Sequence, residues 1–176
     1  MHDTTFAAAA QFHGHVCPGL ATGFRMTRAA LLHLQAGRAE DEHLVAVVEN
    51  DACGVDAVQF LSGCTFGKGN LIFHDYGKQV YTFYQRASGR AVRVTTVDNP
   101  QAPTDRQERV DWLLQAAEDE VVSVEEIRSA PPEYARIRAS VTCAFCGERV
   151  METRARLREG QVCCLPCSED HPETSG

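Results

Sequence analysis

Apolar residues first recur near helical spacing at Leu20, Phe24, Leu31 and Leu34, which predicts a helix over residues 19–34 with one buried stripe. The unbroken apolar run Leu44-Val45-Ala46-Val47-Val48 predicts a buried strand. Val55, Val58 and Leu61 then return to a helical period that stops at Gly63. Beyond it the period shortens. Leu71-Ile72-Phe73, Tyr81-Thr82-Phe83-Tyr84 and residues 92–97 are rich in β-branched and aromatic side chains, with Ser88-Gly89 as a turn between the last two. They predict antiparallel strands beside the run at 44–48. After Pro100 and Pro103, Thr104-Asp105-Arg106-Gln107 has the form of a capping box. It opens a predicted helix with Val110, Leu113, Leu114, Ala117 and Val121 on one side. Pro131-Pro132 ends that pattern and marks a boundary. The expectation is therefore an α+β core over 1–133, with helices packed on a mainly antiparallel sheet, and a separate small domain over 134–176.

That small domain changes the picture most. Cys143-Ala-Phe-Cys146 and Cys164-Leu-Pro-Cys167 form two C-x2-C pairs with seventeen residues between them, the spacing of a four-thiolate structural zinc site of zinc-ribbon or treble-clef-like type. So short a segment cannot bury enough apolar surface to fold unaided, so zinc would supply its folding energy. Cys163 neighbours Cys164, but only Cys164 completes the C-x2-C step, so Cys163 is expected to lie outside the metal shell.

A second concentration of soft and borderline ligands lies near the N-terminus, in Phe12-His13-Gly14-His15-Val16-Cys17-Pro18-Gly19 and Asn50-Asp51-Ala52-Cys53-Gly54-Val55-Asp56, with Cys64 just beyond. Pro18 suits the first turn of a helix, so Cys17 is expected at a helix N-terminus, and Cys53 likewise precedes a helical pattern. Thiol pKa values fall below about 8.5 at such positions. Gly19 and Gly23 would allow close packing near Cys17. His13, His15, Cys17, Cys53 and Cys64 are thus the expected ligands of a second metal, whose identity the sequence leaves open. Cys17 and Cys53, with Lys68 as a cation for a thiolate or anionic ligand, are the candidate catalytic residues.

The stretch from His13 to Arg25, the stretch from Asp51 to Gln59, and Gly63-Cys64-Thr65-Phe66-Gly67-Lys68-Gly69-Asn70-Leu71 together resemble the E-subunit family of formylmethanofuran dehydrogenase. The resemblance implies an α+β core, a homodimer, a zinc-finger tail as in some members, and association with molybdenum or tungsten enzymes acting on one-carbon units. It also places Lys68 and Asp75 near Cys64. It implies an accessory component, since pterin-binding machinery able to oxidise a formyl group has no visible counterpart in 176 residues. On this basis the leading function is a metal-binding accessory protein handling a metal, sulfur or cofactor fragment. Two alternatives stay open: a stand-alone metal-dependent enzyme using the N-terminal site, and an interaction module recruited through the finger.

Charge and composition exclude other classes. Residues 1–133 carry 11 Lys+Arg against 18 Asp+Glu, whereas 134–167 carry 6 Arg against 3 Glu. Loading that +3 segment with a zinc tetrathiolate of charge −2 leaves about +1, and Glu169, Asp170 and Glu173 follow, a poor footprint for nucleic acid. Gly63-Cys-Thr-Phe-Gly67-Lys68 is one residue short of a phosphate-binding loop, and Gly69 stands where a hydroxyl would hold magnesium. No run approaches the ~18 apolar residues of a membrane span. Ala7 to Ala10 is too short for a signal core, and eight cysteines in metal-like spacings suit a reducing cytoplasm.

Overall fold

Thr5 accepts a hydrogen bond from the Ala8 N–H and starts helix α1, Phe6–His13, so the alanine run is helical. The computed structural model describes residues 5–169; Asp170, His171 and Glu173 of the acidic tail lie outside the described residues. Helix α2, Pro18–Leu34, buries Leu20, Ala21, Phe24, Met26, Ala29, Ala30 and Leu34. Phe6 meets Phe24 edge to face at 5.4 Å and packs α1 on α2.

Strand β1, Leu44–Val48, is buried along its whole length, as an unbroken apolar run requires. Helix α3, Gly54–Ser62, carries the chain from β1 to β2, Leu71–Phe73. Strands β3, Val80–Gln85, and β4, Arg90–Thr96, form a hairpin, and β5, Val122–Ile127, completes a sheet ordered β2-β1-β3-β4-β5. Three of its four pairings are antiparallel. The pairing of β2 with β1 is parallel, with Ala46 opposite Leu71, so the sheet is mainly antiparallel as expected while the stretch 71–73 departs from its antiparallel reading. The intervening α3 supplies the crossover that parallel neighbours need.

The region after Pro103 differs from its sequence reading in three ways. Asp105, not Thr104, caps the helix, accepting from Gln107 N at 2.9 Å and Glu108 N at 3.0 Å. Helix α4 ends at Gln115, because Ala116 and Ala117 are extended, with ψ of 154° at each. The buried Arg25 guanidinium takes up the Leu113 carbonyl and, at 2.8 Å, the Ala116 carbonyl, so the end of α4 is pinned to α2. The short helix α5, Glu118–Val121, leads straight into β5. Glu126 consequently sits on a strand, paired with Arg90.

The chain separates into two compact units, residues 1–135 and 136–176. Within the second, β6, Ser140–Thr142, pairs with β7, Arg149–Met151; β8, Arg156–Arg158, pairs with β9, Gln161–Cys163; and the four-residue helix α6 spans Leu165–Ser168. A knuckle, strands, and a final pair of cysteines at a helix start form a treble-clef-like order.

Candidate metal centres

His13 is the last residue of α1, and the left-handed Gly14 turns the chain so that His15 stacks against it, ring centroids 4.4 Å apart. Two residues later Cys17 caps α2: its sulfur accepts the Leu20 N–H at 3.4 Å, and it is buried. Cys53 stands at the start of α3. What brings these two helix starts together is the absence of side chains between the helices. A Cβ on Gly23 would lie 2.3 Å from Gly54 Cα, and one on Gly19 would lie 3.3 Å from Cys53 Cβ. Ligand atoms of His13, His15, Cys17 and Cys53 consequently all lie within 4.8 Å of one another.

Asp56 orders this group, and it was missed from sequence. Its Oδ2 lies 2.6 Å from His13 Nδ1, and Gln59 Nε2 donates to its Oδ1 at 3.3 Å. With the Nδ1 proton donated to the carboxylate, the lone pair at His13 Nε2 faces Cys17 Sγ, 3.9 Å away. The signal was present: Asp56 follows Cys53 by three residues, one helical turn along the same face.

Three sequence expectations need correction. The Cys53 thiol is pushed up, not down: burial is the largest cause, followed by its contact with the Cys17 sulfur and then the Asp56 charge, which together outweigh the backbone hydrogen bond at the helix start. Cys64 is not brought into the group. It is wholly buried in the core, donates its S–H to the Leu44 carbonyl at 3.4 Å, and burial raises its pKa to about 11. The Lys68 ammonium is spent on the carbonyls of Ala39 at 3.2 Å and Glu40 at 3.3 Å, so it does not serve as the cation beside the thiols. Asp75 is exposed between β2 and β3.

Two sulfurs and two imidazole nitrogens suit a borderline divalent ion, and two close thiols of which one resists ionisation on its own need a cation to release their protons. A cleft of about 410 Å³ opens beside His13 and Cys53.

In the second unit, the Gly147 N–H bonds the Cys143 carbonyl at 3.0 Å in a left-handed turn, closing the knuckle between β6 and β7. Cys164 directly precedes α6, and Cys167 lies in its single turn. Ligand sulfurs of Cys143, Cys146, Cys164 and Cys167 lie within 4.8 Å of one another. Cys146 Sγ and Cys164 Sγ are 3.8 Å apart, matching the edge of about 3.8 Å expected for a tetrahedron with metal–sulfur bonds of about 2.3 Å. The Cys146 backbone N–H, chief among several donors, lowers the Cys143 thiol to about 6, while the Cys164 sulfur and then burial push Cys167 up to about 12. The cluster thus favours one thiolate and resists the next until a cation arrives. Cys163 is buried in the same cluster but is not one of the four converging sulfurs, its S–H directed to the Arg156 carbonyl at 3.6 Å. Among the described residues, no helix is long and apolar enough to cross a membrane.

Known proteins resemble this chain over most of its length. The crystal structure of a tungsten formylmethanofuran dehydrogenase E-subunit (FmdE)-like protein from Syntrophus aciditrophicus is similar, with a TM-score of 0.66 and 26% sequence identity over 93% of this chain and 89% of that one. A probable S-adenosyl-L-methionine-binding protein of Archaeoglobus fulgidus is 31% identical over 193 residues, a match covering 91% of this chain and 51% of that protein. The chain therefore spans about half the length of that relative. The family described as "FmdE, Molybdenum formylmethanofuran dehydrogenase operon" matches residues 12–142, and the chain belongs to it.

Proposed function

We propose that this chain is a cytoplasmic metal-binding accessory protein of a molybdenum or tungsten one-carbon oxidoreductase, handling a metal, sulfur or cofactor fragment at His13, His15, Cys17 and Cys53. The observation that carries this reading is the convergence of two cysteines at helix starts and two imidazoles within 4.8 Å, beside an open cleft. Family membership supports the partner class. In this reading zinc in the second unit is structural, because four thiolates close its shell and leave no position for exchange.

At the N-terminal group, a bound metal would supply Lewis acidity, and an entering ligand would take the place of the exposed His15 imidazole. The chain's own residues do the rest. Asp56 holds His13 in the tautomer that presents Nε2, α2 and α3 fix the two sulfurs, and buried Cys17 shields one side of the group from water. Elemental analysis of purified protein tests the reading: two metals per chain are expected, falling to one in Cys17→Ser. One metal per chain in both proteins overturns it.

A stand-alone enzyme is the second reading, favoured by the cleft, which would admit substrate to the metal without a partner. Turnover by the metal-loaded chain alone distinguishes the two. S-adenosyl-L-methionine is a ligand to try by equilibrium dialysis, on the strength of the Archaeoglobus relative's name. A homodimer belongs to the same proposal, since among the described residues β2 and β5 end the sheet with unpaired edges. Sedimentation as a monomer at tens of micromolar protein would count against it.

A further inference from the structure

We infer that the cleft beside His13 and Cys53 is the ligand subsite of the N-terminal centre, and that it takes a neutral or cationic molecule with a flat apolar body while rejecting oxyanions. This rests on the proposal that the Cys/His group holds a metal. Phe66 and Phe73 line the cleft although they are 74% and 41% exposed, leaving two aromatic faces that no core packing explains. Leu71 and Val48 extend the apolar wall. The acidic residues lining the cleft are Asp51 and Asp56, and among the described residues no Lys or Arg lines it. Lys68, the nearest lysine in sequence to Phe66, is turned to the Ala39 and Glu40 carbonyls.

A divalent ion on two thiolates and two neutral imidazoles has no net charge, so it offers an entering anion no compensation for the two carboxylates. Molybdate, tungstate and phosphate are disfavoured there. The transition metal of a partner enzyme would thus not enter this cleft as its free oxyanion, and the group handled is instead an apolar fragment bearing one soft or nitrogen donor.

The test uses full-length protein with zinc in the second unit and cobalt(II) in the N-terminal group, with the Cys17-dependent visible bands as readout. Imidazole, 4-phenylimidazole and sodium molybdate are titrated separately. 4-Phenylimidazole is expected to bind at least about tenfold more tightly than imidazole, because its phenyl ring is buried against Phe66 and Phe73. The Phe66→Ala/Phe73→Ala variant should erase that preference with imidazole affinity and the starting spectrum unchanged, and millimolar molybdate should leave the bands untouched. Equal affinity for the two imidazoles, or molybdate binding as tightly as 4-phenylimidazole, overturns the inference. So does a double variant that alters only the oligomeric state, which would assign these rings to an interface. Failure to form Cys17-dependent cobalt bands overturns the metal reading instead. The cleft is then read on metal-free protein by saturation transfer to 4-phenylimidazole, and no transfer sensitive to the double variant overturns the subsite itself.

Discussion

The two cysteine groups obtain similar ligand convergence from opposite kinds of scaffold. Cys143, Cys146, Cys164 and Cys167 sit on short hairpins and a four-residue helix, and their own buried cluster extends no further than Cys163, with Cys146 and Val150 packed on it. His13, Cys17 and Cys53 sit at the ends of three helices, and His15 in the turn between two of them, over a five-stranded sheet with its own core. On the proposed reading the first group needs its ion to exist as a structure. The second is held in place by apolar packing whether or not an ion is bound, and only such a group can release and reload its ligand without unfolding.

The sharpest way to break this contrast is to remove one sulfur from each region. Cys164→Ser should release the second unit's metal and abolish amide-exchange protection throughout residues 140–168, with the melting temperature of the core changed by no more than a few degrees. Cys163→Ser should retain the metal. Protected hairpins in metal-free Cys164→Ser would show that the tail folds by packing, and the contrast would be lost.

Cys17→Ser should do the reverse. The hydroxyl replaces sulfur as the α2 cap, an exchange that costs the helix little. The core therefore stays folded while affinity for the N-terminal metal falls by roughly 100-fold or more, beyond the effect of losing an outer-shell partner. Competition against a chromophoric chelator measures the loss. Substantial core unfolding in this variant would make the N-terminal group structural as well.

Cys64 offers a smaller contrast inside the core, as a thiol that packing has withdrawn from chemistry. Burial raises its pKa from the ordinary value of 9.0 to about 11. The folded state therefore holds this proton more tightly than the unfolded chain. The associated stability is fully present below pH 9 and is lost as pH rises towards 11, a cost on the order of 2 kcal/mol at the upper end. Denaturant melts between pH 8 and 11 should show a shallower fall for Cys64→Ala than for the parent chain. Parallel curves would mean the thiol ionises in the folded state as readily as in solution.

What was legible in the sequence follows the same division between local and long-range causes. Four cysteines in two C-x2-C pairs state their partners by spacing alone, and Pro18 marks Cys17 as a cap. The proximity of Cys17 and Cys53 depended on Gly23 meeting Gly54, a contact between helices that no local period records. Cys64 was drawn towards the site by closeness in sequence and Lys68 by the family resemblance, yet the core absorbs the first and the glycine-rich loop aims the second at two carbonyls. Residues 116–127 misled because Val121 continues a helical stripe, whereas Arg25, remote in sequence, takes up the carbonyls on which the helix would have continued. Strand β5 then appears where Val122 and Val124 alternate with polar neighbours, a short signal hidden behind a stronger one.

The finest difference between the groups is an outer partner. His13 leans on Asp56 at 2.6 Å, and Asp56 is held in turn by Gln59; among the described residues the four-thiol group has no carboxylate–histidine pair of this kind, relying on backbone N–H groups such as that of Cys146. In Asp56→Asn the amide oxygen can still accept the Nδ1 proton, but the negative charge that raises imidazole basicity is gone, and an amide turned the other way would favour the wrong tautomer. N-terminal metal affinity should fall by about 10- to 100-fold, the usual cost of removing such a partner. Asp56 has a partly exposed carboxylate, with 39% of its side chain open, so the core's melting temperature should move little. The second unit serves as an internal control in the same tube, since its metal affinity should not change. Equal weakening at both groups would trace the effect to global destabilisation, and no weakening at either would show that α1 and Gly14 alone orient His13.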